Sequence, residues 1–418
     1  MRFVKEQVDL NPIVDTVFAI VSKAKEAKKE LGEDKVVDAT IGSLYNEEGK
    51  IVAFDSVFNT LKQLPNEVMA AYAGSFTGNP NYREHVYDWV VGDRSSLAHS
   101  VIATPGGTGA VSITVSEMLD EGETLIIPEI CWGSYSLMAS MDNLKTKSYT
   151  LFEGDHFNVA SFKAVCEEVM KEQKKVVAII NDPCHNPTGY SLSAQEWDEV
   201  IQVLNELSTQ GPVVLLNDIA YIDFAYRGKA ARDYIRTFDK IGDNVFVVIA
   251  FSISKSLTAY GMRCGAAILM AQKKESVREV EIVFEKAARA TWSNVNNSAM
   301  ENFVAVTSDN KENYEAEKDT YVKLLKERSG IFTAEADTCG LQYYPYKEGF
   351  FVTLKMDNNE IRDLYHDALM NEHIYTVKVN KGIRVAVCSL PVEKCYGLAG
   401  RMKDILDSVR LSDDSPLT

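Results

Sequence analysis

Cysteine is scarce, 7 in 418 residues, and no two of them form a C-x-x-C pair. Such an odd and scattered set excludes a disulfide framework and a zinc knuckle, and it fits a reducing compartment. No apolar run approaches 18 residues, so no membrane-spanning helix is expected. The opening MRFVKEQVDLNP lacks an apolar signal core, and a cytoplasmic location is expected. A basic excess is missing too: 44 Lys+Arg stand against 60 Asp+Glu, a formal net charge of −16. Nucleic acid and anionic membrane are therefore poor partners, since both select a basic surface. Repeats and low-complexity linkers are absent. What remains is 46 % hydrophobic and 25 % charged, enough to bury a large core over two or three domains.

Residues 12–31 have helical spacing, with Val14, Val17, Phe18 and Val21 expected on one face and lysines on the other. From about residue 100 to 270 short β-branched runs recur, at 101–104, 124–127, 176–180, 213–216, 245–251 and 266–270. Stretches with helical spacing, such as 110–119 and 194–207, separate most of them. Continuous apolar strands alternating with helices imply an α/β fold with a mostly parallel sheet covered on both faces. From about 310 onward the alternation changes, and a smaller α/β lobe is expected.

The unusual residues follow the strands: PGGTG after the first, PEICW after the second, NDPCHNPTG after the third, ND after the fourth and SISK after the fifth. In an open α/β sheet the ligand crevice lies outside the carboxyl ends of the strands. Five motifs thus converge on one place. Lys255, leaving an apolar strand, is a partly desolvated amine able to form a Schiff base with an aldehyde. Ser252, Ser254 and Arg263 offer phosphate ligands. Pro105-Gly-Gly-Thr-Gly109 runs from strand into helix, where free N–H groups hold a phosphate. Asn186 presents a side-chain amide. Asp218 ends a strand with a carboxylate that needs a cationic partner, such as a protonated pyridine nitrogen. Tyr221 follows it, and Trp132 can stack on a flat ring. Taken singly, each has an ordinary counterpart: a loop lysine, a tight turn, a core tryptophan. Taken together they meet the needs of pyridoxal 5′-phosphate (PLP). Cys184 and His185 adjoin, but no further Cys or His is suitably spaced, so no metal is expected.

On these motifs, and on CHNPTG, SISK with Arg263 eight residues on, and Arg384, the chain resembles class I PLP-dependent aminotransferases of fold type I. Within them it is similar to the aspartate/aromatic subgroup, from Asn11-Pro-Ile-Val onward. The resemblance implies an N-terminal arm with part of the small domain (1–46), a large PLP-binding domain (47–305) and a small C-terminal domain (306–418). It implies that Lys255 carries the cofactor and shuttles a proton, that Asp218 pairs with the pyridine nitrogen, and that Tyr221 and Asn186 contact the ring oxygen. Gly107, Thr108, Ser252 and Arg263 would hold the phosphate, joined by Tyr72 from the partner of a homodimer. Trp132 would stack on the ring, Arg384 would clamp the substrate α-carboxylate, and Gly42 would lie on a closing loop. Arg289, in Arg-Ala-Thr-Trp-Ser-Asn, would come from the partner to meet a distal carboxylate. The implied reaction moves an amino group between aspartate or aromatic amino acids and a 2-oxo acid such as 2-oxoglutarate.

Two departures stand out. Where the aspartate enzymes carry a histidine behind the pyridine-binding Asp, this chain has Tyr135. And Asp223-Phe-Ala-Tyr226 matches the family string better than Asp218-Ile-Ala-Tyr221, although Asp218 ends the apolar strand and is preferred for that reason. A PLP-dependent lyase or decarboxylase is the alternative on the same fold. The PLP-binding effector domain of a transcription regulator would require a basic DNA-binding head, which the N-terminus does not offer.

Overall fold

The computed structural model describes residues 2–4, 8, 10–12 and 16–413. Ala53–Pro183 and Leu192–Asp319 form the core of a larger compact unit, and the described parts of Leu10–Val52, Cys184–Ser191 and Thr320–Thr418 form a smaller one. By compactness the chain divides after Val52 and Asp319. The second division lies inside the helix Lys311–Cys339, where an uninterrupted helical pattern carries no break in composition.

The larger unit is built on seven strands: β1 (Ala98–Thr104), β2 (Thr124–Pro128), β3 (Lys145–Tyr149), β4 (Val176–Asn181), β5 (Val213–Asp218), β6 (Val245–Ser252) and β7 (Gly265–Ala271). Their spatial order is β1-β7-β6-β5-β4-β2-β3. β7 runs antiparallel to β1 and β6, and the other neighbours are parallel. This is the mostly parallel sheet of an α/β fold. Val177 and Ile179 enter a cluster with residues of the helices Gly106–Met118, Ser134–Met141 and Lys274–Thr291. Val176, Ala178 and Ile180, which alternate with them, are buried as well. Successive side chains point to opposite faces, so both faces are covered. β3 was not expected, because its sequence KTKSY is mostly polar and it sits at the sheet edge.

Register brings the strand ends into line. Asn181, Asp218 and Ala250 are neighbours across β4, β5 and β6, and Gly265 pairs with both Thr104 and Ser252. The PGGTG turn, the SISK turn and the approach to β7 therefore begin side by side.

In the smaller unit Gly382–Ala386 pairs antiparallel with Phe351–Lys355 and Val377–Val379, with helices Asn359–Asn371 and Leu398–Asp413 alongside in the chain. The first helix is Thr16–Leu31. Its buried residues are Ile20, Ala24 and Ala27, whereas Phe18 is 72 % exposed. The expected apolar face is thus corrected: the small alanines fit closely against Val36 and Tyr375, and the bulky Phe18 is excluded. Ile13 and Val14 lie outside the described residues. No described helix is long and apolar enough to cross a membrane.

Candidate active site

Asp218, the last residue of β5, is 6 % exposed. Its Oδ2 accepts a hydrogen bond from Tyr135 Oη at 2.6 Å, and its Oδ1 accepts one from the Ala220 N–H at 3.1 Å. Burial pushes the Asp218 carboxyl above its usual range, while the Tyr135 hydroxyl, the Ala220 N–H and the charge of Lys255 pull it back. Tyr135 is fully buried, and burial together with the Asp218 charge raises its phenol far above the ordinary value. It stays protonated and donates. The Trp132 ring meets Tyr135 edge-on at 5.5 Å, half-buried at the start of the same turn.

Lys255 lies on the short helix Ile253–Ser256 that follows β6. Its Nζ is 5.6 Å from the ring centre of buried Tyr221 and 5.7 Å from that of Tyr260. The amine therefore lies within about 6 Å of the centres of two aromatic rings and within electrostatic reach of Asp218.

Beside it, the helix Gly106–Met118 presents its first N–H groups. Gly106 has φ +76°, and a Cβ there would lie 2.7 Å from Arg263 Nη2. A Cβ on Gly107 would come within 3.0 Å of Ser252 Cβ. The glycines are thus required by close approach and by a backbone region that L-residues avoid. Arg263 Nη1 donates to Ser254 Oγ at 3.1 Å and to the Tyr260 carbonyl at 2.8 Å, so its guanidinium is fixed over this cradle. Ser252 Oγ accepts from the Ser254 N–H at 3.2 Å. Thr108, in the first turn, is exposed. N–H groups at a helix start, a serine and a fixed guanidinium make an anion site.

Tyr72 and Arg289 are not drawn into this group. Tyr72 is 88 % exposed. Arg289 is exposed as well; it donates to Ser293 Oγ, and its Cζ lies over the Phe76 ring, 4.6 Å from the ring centre.

The smaller unit assembles the remaining expected residues. Arg384, buried on the strand Gly382–Ala386, donates to the Thr40 carbonyl at 2.8 Å and approaches Asn186 Oδ1 at 3.4 Å. Its guanidinium lies over the Phe351 ring at 4.4 Å. A Cβ on Gly42 would come 3.2 Å from that same ring. The turn bearing Asn186 is tied down by Thr353 Oγ1, which donates to the Pro187 carbonyl at 2.6 Å. His185 serves the turn: its Nδ1 is 2.8 Å from Thr188 Oγ1, and burial lowers its pKa to about 3. Among the described residues no group of three or more His, Cys, Asp or Glu side chains is placed to hold a metal ion.

The model of the family described as "Aminotransferase class I and II" matches residues 34–402. The chain belongs to the class I and II aminotransferase family. It is 35 % identical to a crystallised aminotransferase from Anaerococcus prevotii, with a TM-score of 0.94 over 97 % of this chain and 100 % of that one. An aspartate aminotransferase from Salmonella typhi is 27 % identical over 265 residues, 62 % of this chain. The chain spans 65 % of that relative's length. An aromatic-amino-acid aminotransferase from Burkholderia pseudomallei, crystallised covalently bound to pyridoxal phosphate, shares the fold with a TM-score of 0.78 at 21 % identity, over 97 % of this chain and 100 % of that one.

In this member of the family the two candidate aspartates have different surroundings. Asp223 is buried in an ion pair with Arg232 at 2.7 Å and accepts from Trp89 Nε1 at 3.2 Å. Burial raises its carboxyl, but Arg232 and Lys318 outweigh that and leave it below the ordinary range. Its charge is already compensated by a direct ion pair, whereas Asp218 is hydrogen-bonded by two neutral donors and feels Lys255 only from a distance. Three contributors escaped the sequence reading: Tyr260 beside Lys255, Phe351 under Arg384 and Phe76 under Arg289. Each is an aromatic near a cation in space but distant or unpatterned in sequence, and no motif announces such pairs.

Proposed function

We propose that the chain is a PLP-dependent aminotransferase that moves an amino group between aspartate or aromatic amino acids and a 2-oxo acid such as 2-oxoglutarate. The observation that carries this reading is the grouping of Lys255 with a buried Asp218 and a glycine-lined anion cradle in one unit. The fit to PLP rests on these residues. Asp218 is a buried carboxylate on neutral donors, and a protonated pyridine nitrogen supplies the missing positive charge. Gly106 and Gly107 leave room that a Cβ would fill, suited to a phosphate held by helix N–H groups, Ser252 and Arg263.

When bound, PLP supplies an electron sink that stabilises negative charge at the substrate α-carbon. Lys255 Nζ is the group that holds the cofactor and moves the α-proton. Asp218 keeps the proton on the pyridine nitrogen, oriented by the Tyr135 hydroxyl. Tyr221 and Asn186 contact the ring 3′-oxygen, and Trp132 covers a ring face. Arg384 takes the α-carboxylate common to all donors through a bidentate pair, steadied by Phe351 and the Thr40 carbonyl. Gly42 gives the adjoining loop its close approach. We further propose a homodimer in which Tyr72 and Arg289, both exposed in the single chain, act in the partner's site. Arg289 there meets the distal carboxylate of aspartate or glutamate.

The test is a half-reaction. Aspartate, glutamate, tyrosine or phenylalanine is added to the PLP-loaded protein without any 2-oxo acid. The expected result is one 2-oxo acid released per site, with the cofactor recovered in its amine form and restored by 2-oxoglutarate. Continued turnover to ammonia or carbon dioxide, with the cofactor unchanged, identifies a lyase or decarboxylase instead.

A further inference from the structure

Arg289 stands on the last turn of the helix Lys274–Thr291, its guanidinium 4.6 Å from the Phe76 ring centre and one N–H on Ser293 Oγ. This is not a chance meeting of two mobile side chains. The loop that carries Phe76 is tied to the turn that follows Arg289: the Ala73 N–H donates to Asn294 Oδ1 at 3.2 Å, and Asn79 Nδ2 donates to Asn297 Oδ1 at 2.7 Å. Phe76 is a large ring left 40 % exposed, so core burial does not account for it. What its ring face meets is a cation, the Arg289 Cζ 4.6 Å from the ring centre. A guanidinium has five N–H donors, and among the described residues one of them is engaged. A cation–ring contact restrains the guanidinium while using none of its N–H donors, which stay available for a planar carboxylate.

We infer that Phe76 is a specificity-determining positioning residue, holding Arg289 ready for the distal carboxylate of a dicarboxylic amino acid. The inference rests on the proposed reading of Arg289 as that carboxylate's partner. A held arginine favours aspartate and glutamate, because its ordering precedes binding. An aromatic donor requires the arginine to leave, and the ring sets the cost of leaving. Phe76 thus tilts the preference between the two substrate classes without touching the reacting atoms.

Phe76→Leu keeps apolar bulk and removes the ring, whereas Phe76→Tyr keeps the ring. Two readouts separate positioning from folding. The first is kcat and KM for aspartate and for phenylalanine. The second is the calorimetric affinity of the PLP-loaded protein for succinate, an unreactive dicarboxylate, and for 3-phenylpropanoate. Phe76→Leu is expected to raise KM for aspartate and weaken succinate by about 3- to 30-fold, with phenylalanine retained or improved. Phe76→Tyr should restore wild-type values. Arg289→Leu should lower kcat/KM for aspartate by about 30- to 5,000-fold, and adding Phe76→Leu to it should cost nothing further. If Arg289→Leu is selective for dicarboxylates but Phe76→Leu is silent, or weakens both ligands equally, the role of Phe76 is overturned and the reading of Arg289 stands. If Arg289→Leu harms both substrate classes equally, the reading of Arg289 fails and the inference falls with it.

Discussion

Replacing Tyr135 with Phe removes one hydroxyl from the pocket around Asp218. The bond lost is 2.6 Å long, and both partners are buried. A hydrogen bond to a charged group is worth about 1.5–3 kcal/mol, which corresponds to about one to two pKa units on Asp218. The sign follows from the proton balance. In the cofactor-free protein Asp218 lies above the ordinary 3.8 because burial disfavours its charge. The native state therefore binds this proton more tightly than the unfolded chain, and the group's contribution to stability falls as pH rises through that interval. Losing the Tyr135 hydroxyl raises the native value further, so the deficit of the variant is full above the new value and shrinks toward acid. Urea unfolding of the cofactor-free protein at about pH 7 and about pH 4.5 measures it. We expect Tyr135→Phe to be less stable by about 1.5–3 kcal/mol at the higher pH and by clearly less at the lower. An equal deficit at both pH values would refute the reasoning, since the hydroxyl would then fill space without stabilising a charge.

Other consequences are as direct. Gly106→Ala places a methyl 2.7 Å from Arg263 Nη2 and so displaces the guanidinium from the cradle; it should weaken PLP binding by about tenfold or more in equilibrium dialysis, since a hydrogen bond to a charged group is worth about 1.5–3 kcal/mol. Unchanged affinity would mean the cradle holds no phosphate. Arg384→Met should lower kcat/KM for every amino donor alike, by about 30-fold or more, because the α-carboxylate is common to all; a loss confined to dicarboxylates would reassign it. Sedimentation should show a dimer, and mixing Lys255→Ala chains with Tyr72→Phe/Arg289→Ala chains should regain activity in hybrid molecules, whereas a fully active monomer would end the shared-site reading.

Much of this was legible because strand ends are conspicuous. Apolar runs stop abruptly and polar residues follow at once; β4, β5 and β6 end within two residues of the runs at 176–180, 213–216 and 245–251. The helix Ala194–Leu207 was equally plain from its apolar spacing, and the structure adds that Ser193 and Glu196 cap it reciprocally. β3 was hidden because an edge strand facing water needs no apolar run. The face of Thr16–Leu31 was misjudged because the spacing was drawn through Val17, Phe18 and Val21, while Ile20, Ala24 and Ala27 are the residues that enter the core cluster. The bond from Tyr135 to Asp218 and the contact of Arg289 with Phe76 depend on how distant segments are brought together, which local pattern does not encode.

The central claim is that Lys255 is the lysine that binds PLP. Borohydride reduction of the PLP-loaded protein, followed by peptide mass mapping, tests it most directly. The account predicts a single reduced cofactor adduct on the peptide containing Ser252-Ile-Ser-Lys255, absent from Lys255→Ala protein. An adduct on any other lysine, or none at all in protein that has bound PLP, would contradict it.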